Sequence, residues 1–158
     1  MVTAAPPTCI FCQIARSTSN TLLHQDDKFV AFQDINPSAF RHYLVIPVEH
    51  ISTVKDLKRS PEDFSLGDNI TMVLVRKSFS HMLNVGQSLL RRDAPHAKHY
   101  RFGFHQPPFN SVDHLHLHCF ALPFIPGWKA IKYFSLGPFG GFIEAEKLLD
   151  RIKPLSSL

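Results

Sequence analysis

The chain has 158 residues, 44% of them hydrophobic with 14 Phe, which is enough for one domain with a real core, and no apolar run approaches the ~18 residues of a membrane-spanning helix. Its net charge of +4 suits an anionic small molecule such as a nucleotide, but Lys and Arg are scattered rather than banded, which argues against nucleic-acid binding. Three cysteines are too few for a disulfide framework, and the opening MVTAAPPT has neither a basic-then-apolar nor an Arg-rich pattern, so no cleaved leader and a cytoplasmic or nuclear setting are expected.

Taken in chain order, the first feature is Cys9-Ile10-Phe11-Cys12, whose two-residue gap is common in zinc sites but supplies only half of a tetrahedral shell. Short β-rich runs follow at Leu22 to His24, Lys28 to Gln33 and His42 to Val48, divided by Asp26-Asp27 and by an Asn36-Pro37 turn signal. Ser60-Pro61-Glu62-Asp63 has the cap serine, first-turn proline and acidic residue of a helix start. Phe79, Met82, Leu83, Gly86, Leu89 and Leu90 then keep helical spacing up to Arg91-Arg92-Asp93. Two more strands are expected at Tyr100 to His105 and His114 to Leu122, and a last helix through Phe142, Ala145, Leu148, Leu149 and Ile152 before Pro154. This order gives an α+β fold: an antiparallel five-stranded sheet with one long helix and a C-terminal helix. The Asn69-Ile70-Thr71 glycosylation triplet is idle without a secretory signal, and the terminal Ser156-Ser157-Leu158 is a weak likeness to a peroxisomal address.

Within the last strand, His114, His116 and His118 occupy alternate positions, so their rings should leave one face about 6.6 Å apart while Leu115, Leu117 and Cys119 face the core. Three readings are open. The histidines are tolerated polar residues on a half-exposed strand; or they hold one metal ion, for which alternate positions on a straight strand converge poorly; or they divide labour, one as nucleophile and its neighbours orienting it or protonating a leaving group.

The run HLHLHCF resembles the His-φ-His-φ-His-φ-φ signature of the histidine triad proteins, φ being apolar. CIFCQI, AFQDINPSA, HYLVIPVEHI and NSVDHLHLH follow the order and approximate spacing of the Hint branch, and the flanking FGFHQPPF with the tail PGWKAIKY is most similar to plant Hint-type proteins associated with adenylylsulfate cleavage. The resemblance implies a single domain over residues 1–158, with an N-terminal arm at 1–8, an extra segment at 67–80 and a C-terminal extension at 123–158. It also implies a homodimer whose sheets join.

The activity it implies is cleavage of adenosine 5'-phosphosulfate, to AMP and sulfate or with phosphate to ADP, and of adenosine 5'-phosphoramidates through an adenylyl-histidine. The alternative is a catalytically weak adenine-nucleotide binder or scaffold. Carried over residue by residue, His116 is the nucleophile, His118 touches the phosphate and Ser111 assists the leaving group. Asp34 accepts the ribose hydroxyls, while Phe11, Ile14, Phe32 and Ile35, which would otherwise read as plain core, wall the base. His105 replaces a usual asparagine and Asn110 a usual glutamine, in a loop stiffened by Pro107 and Pro108, which puts leaving-group preference in question. The remaining ligands of a structural zinc, beside Cys9 and Cys12, are His50 and His114, and no organic cofactor is implied.

Overall fold

The computed structural model describes residues 8–54, 68–137 and 140–152. Its elements in chain order are α1 (Ile10–Ala15), β1 (Leu22–Gln25), β2 (Phe29–Gln33), β3 (Ala39–Pro47), α2 (Asp68–Asp93), β4 (Tyr100–Gln106), β5 (Leu117–Phe124), a 3-10 helix (Gly127–Tyr133), β6 (Gly141–Glu144) and α3 (Ala145–Arg151). The sheet has six strands, all antiparallel, in the order β1-β2-β3-β5-β4-β6.

The sixth strand corrects the expected five. Phe142, expected to open the last helix, lies instead in β6 opposite His105, and the helix begins at Ala145. Its ring is fully buried and presses on Gly103, where an added Cβ would come within 2.3 Å of it. Because β6 lies along β4, the strands left at the sheet's edges are β1 and β6, and a dimer that continues the sheet would have to pair through one of them.

One face of the sheet is covered by α2. Phe79, Met82, Val85, Leu89 and Leu90 meet Tyr43, Val45, Leu115, Leu117 and Cys119, so the helical spacing of one element fills the alternate positions of another. The closest approach is at Gly86, where a Cβ would stand 2.5 Å from the Cys119 sulfur. Asp68 to Ser80 is continuous with the rest of α2. The expected start at Ser60 to Asp63 lies outside the described residues.

Two separate covers lie on the other face. On one side, α1 packs Phe11 and Ala15 on Val30, Leu44 and Ile46. On the other, the 3-10 helix lays Tyr133 against Ala39, Phe120 and Phe142. The histidines emerge between these covers. Among the described residues no helix is long and apolar enough to cross a membrane.

Candidate functional site

The alternation expected around the triad holds, with Leu115, Leu117 and Cys119 turned to α2 and all three histidines buried on the opposite face. The straight strand does not. β5 begins at Leu117, because the Leu115 N–H bonds to the Ile51 carbonyl at 2.6 Å instead of joining the ladder. Released from the ladder, His114 turns toward α1 while His118 remains under the 3-10 helix. The three imidazoles therefore enter three different environments.

At the His114 end, the ring gives its Nε2–H to the Pro47 carbonyl at 3.0 Å, which leaves the Nδ1 lone pair facing inward. His114 Nδ1 meets Cys9 Sγ and Cys12 Sγ, each at 3.4 Å, while His50 Nδ1 lies 3.3 Å from Cys12 Sγ and 3.2 Å from His114 Nδ1. Two cysteines and two histidines thus present ligand atoms all within 4.8 Å of one another. Such spacings are the edges of a tetrahedron around an ion ~2.0–2.3 Å from each ligand. Burial, together with Cys9, pushes the Cys12 thiol up to about 11, so a thiolate here needs a cation beside it. This cluster can hold a metal.

His116 lies between the two ends. Its Nδ1–H donates to its own chain at the His114 carbonyl, 2.6 Å away, so Nε2 carries the free electron pair. Burial lowers its pKa to about 4, keeping the ring neutral at physiological pH. Phe11 stands edge-on to it at 5.2 Å and to Phe32 at 5.7 Å, and Ile14 and Phe32, with Ile10 and Leu22, line a cavity of about 400 Å³.

The His118 end is a chain of hydrogen bonds whose direction is fixed from both termini. The Ser38 N–H can only donate, so His42 Nδ1, at 3.1 Å, is an acceptor. The Lys132 carbonyl can only accept, so His105 Nε2, at 3.0 Å, carries a proton. Between them His42 Nε2 lies 2.9 Å from His118 Nδ1, and His118 Nε2 lies 3.2 Å from His105 Nδ1. Burial disfavours a charge on all three rings: His42 falls to about 3, His118 well below its ordinary range, and His105 downward. Neutral rings then admit one assignment, with each donating from Nε2 and accepting at Nδ1. Tyr133 stacks on His105 at 5.1 Å and bonds Ser38 Oγ at 3.1 Å, closing the loop behind the relay.

Several expected site residues stand differently. Both nitrogens of His118 are occupied within the relay, so it has no free donor for a phosphate. Ile35 is fully exposed, not core. Ser111 is exposed, and among the described residues no hydrogen bond joins its hydroxyl to the histidines. Asn110 is turned to Asp113 at 2.8 Å. Asp34 is near the relay, its Oδ2 3.5 Å from His42 Nε2, with burial raising its pKa and the Asn36 N–H bonded to Oδ1. Sequence reasoning missed His42, Ser38, Tyr133 and Lys132. A histidine on the buried face of an otherwise apolar β3 was the available signal for the first.

Comparison with known proteins agrees with this architecture. The family described as scavenger mRNA decapping enzyme C-term binding matches residues 8–133. The chain is 66% identical to the bifunctional adenosine 5'-phosphosulfate phosphorylase/adenylylsulfatase HINT4 of Arabidopsis thaliana, over 94% of each chain. It is 34% identical to the adenosine 5'-monophosphoramidase HINT3 of Xenopus tropicalis, over 92% of this chain and 87% of that one. Among solved structures, a histidine triad protein from Clostridium difficile superimposes with a TM-score of 0.58 at 27% identity, over 76% of this chain and 95% of that chain. Similar in sequence along nearly its whole length and in fold across the sheet, the chain belongs to the histidine triad superfamily.

Proposed function

We propose that the protein is a nucleotidyl hydrolase or transferase that cleaves adenosine 5'-phosphosulfate and adenosine 5'-phosphoramidates through an adenylyl group on His116. The observation that carries this reading is the fixed tautomer of His116, neutral, with Nδ1–H held by the His114 carbonyl and Nε2 unencumbered. The names of the Arabidopsis and Xenopus relatives support the two substrate classes.

In the first step Nε2 attacks the α-phosphorus and the bond to the leaving group breaks, its electron pair departing with that group. The positive charge gained by the imidazole is spread toward the Nδ1–H···O=C bond. In the second step water, or phosphate, attacks the same phosphorus and returns the electron pair to Nε2. Splitting one displacement into two lets a single pre-oriented ring serve both. The Asp34 carboxylate accepts the ribose hydroxyls, and Phe11, Ile14 and Phe32 wall the base, the last two also lining the cavity beside α1. Ser111 assists the leaving group from the loop before the triad, where Asn110 bonds to Asp113. His118 and His105 act through the relay, setting the position of the strand beside His116. Cys9, Cys12, His50 and His114 would hold a structural zinc, which would tie α1 to the triad strand.

Acid quenching of the protein during turnover of adenylylsulfate labelled in the adenylyl group is expected to leave AMP covalently on the peptide carrying His116. His116→Ala should lose that label and several orders of magnitude in kcat while still binding AMP. Turnover near the normal rate by His116→Ala would remove His116 as the nucleophile, and a wild-type protein that binds AMP but turns over neither substrate would leave the catalytically quiet nucleotide binder as the better account.

A further inference from the structure

Beside the cysteine cluster, one ring nitrogen from each of His105, His116 and His118 also lies within 4.8 Å of the others, and all three rings are buried. Three imidazoles are a sufficient protein ligand set for a divalent ion such as zinc. His116 stands two positions from His114, so an ion that reaches the first cluster is offered the second.

The two places share a distance and differ in where their protons lie. His50 and His114 face each other Nδ1 to Nδ1 at 3.2 Å, and His105 Nδ1 faces His118 Nε2 at the same 3.2 Å. In the first pair the Pro47 carbonyl draws the His114 proton outward to Nε2 and leaves a lone pair inward. The second pair is arranged the other way. The Ser38 N–H makes His42 Nδ1 an acceptor, which by itself requires a neutral ring with its proton on Nε2, 2.9 Å from His118 Nδ1. His118 Nδ1 must then accept as well, so its own proton is driven to Nε2 and onto the lone pair of His105. An ion arriving here meets the free pair of His116 Nε2, but His118 has none to give and that of His105 is already taken. To bind all three rings, His118 would have to carry its proton on Nδ1 against the His42 N–H, and His42 its own on Nδ1 against the Ser38 N–H.

We infer that His105, His116 and His118 form a latent zinc site, and that the Ser38 N–H and His42 keep it closed by fixing the proton of His118 on Nε2. His42 is thereby a positioning residue that holds a proton where an ion would otherwise find a ligand. On the adenylyl-transfer reading such an ion would occupy the electron pair of the nucleophile, but the inference concerns proton positions and stands or falls apart from that reading. Its test is the zinc bound per chain after dialysis against micromolar free zinc, in the wild type, His42→Gln, His42→Leu and His42→Leu/His105→Asn. Glutamine can accept from Ser38 and donate to His118, so His42→Gln should keep the wild-type content. Leucine can do neither, which frees His118 to carry its proton on Nδ1. The content of His42→Leu should then rise by about one ion per chain, bound about 10–100-fold more tightly at these histidines than in the wild type. Losing His42 also breaks the neighbouring Asp34, His42 and His118 set, so the added ion belongs to the three histidines and should disappear in His42→Leu/His105→Asn. Because the gain is a difference between variants, it does not depend on how much metal the cysteine cluster holds. Ring proton–nitrogen correlation spectra of the wild type should in addition show His118 protonated at Nε2, and they decide the matter should His42→Leu fail to fold. An unchanged zinc content in folded His42→Leu, an added ion that survives His105→Asn, or His118 protonated at Nδ1 in the wild type overturns the inference.

Discussion

The two ends of the triad solve the same problem, a buried imidazole with two nitrogens to satisfy, in opposite ways. At the His118 end every nitrogen has a partner of the right kind, from a backbone donor at Ser38 to a backbone acceptor at Lys132, and the chain is complete without any added group. At the His114 end the backbone satisfies one nitrogen only, and the inward-facing Nδ1 meets the Nδ1 of His50 at 3.2 Å, with two sulfurs for company. Lone pairs brought together in a buried space call for a cation. His116 sits between a cluster that can hold an ion and a relay whose rings are held neutral by burial.

Removing the ion's ligands should give the largest change. Protein purified without chelator is expected to contain about one zinc per chain, and Cys12→Ala to lose it and melt about 10 °C lower, as the loss of several kcal/mol would dictate for a chain of this size. Disruption of the other end by His42→Gln should leave the metal content unchanged. Metal analysis beside a thermal melt separates the two. Wild-type protein that is free of metal, and whose melting does not respond to chelator or to zinc, would make the cysteine end another hydrogen-bonded core.

The sequence made one of these ends much easier to foresee than the other. Cys9 and Cys12 carry a spacing with a chemical meaning of its own, and the resemblance supplied His50 and His114, which the fold brings to them. The relay has no spacing to read. It joins Ser38 and His42 of one strand region to His118, then to His105 of another strand and a carbonyl of the 3-10 helix, so only the assembled sheet brings its members together. The strand hidden before the last helix escaped for a related reason. Gly141 to Glu144 is too short to display alternation, and Phe142 happens to be in phase with Ala145, Leu148 and Leu149. The triad was legible as a pattern, yet the Leu115 bond to Ile51 that pulls His114 out of the ladder depends on a long-range partner.

A smaller effect, confined to the His118 end, concerns pH. In the unfolded chain these imidazoles protonate near the ordinary 6.5, whereas burial, with Lys132 and His105 adding repulsion, holds folded His42 down to about 3. Between those values the unfolded state binds more protons, so the stability this end contributes is full above 6.5 and is lost as pH falls toward about 3. Melting temperature should therefore decline as pH is lowered through that window, and the decline should be shallower in His42→Gln than in wild type. Parallel slopes would mean that the relay rings are not held neutral, and the single tautomer assignment would fall with them.

The smallest effect separates the ring of Tyr133 from its hydroxyl. The ring stacks on His105 at 5.1 Å and packs on Phe120 at 4.6 Å, while the hydroxyl meets Ser38 Oγ at 3.1 Å, next to the backbone N–H that starts the relay. If the direction of the relay is set by the Ser38 N–H itself, losing the hydroxyl should cost only one ordinary buried hydrogen bond, ~1 kcal/mol, or about 2–4 °C in melting. Tyr133→Phe is then expected to keep kcat/KM within about threefold, because the stack that holds His105 on His118 survives and no donor or acceptor within the relay changes. Tyr133→Leu should be worse on both counts, since His105 loses the flat surface that keeps its Nε2 aimed at the Lys132 carbonyl. A large activity loss in Tyr133→Phe with little change in melting would instead put the Tyr133 and Ser38 hydroxyls inside the relay, and the proton order would have to be redrawn from that end.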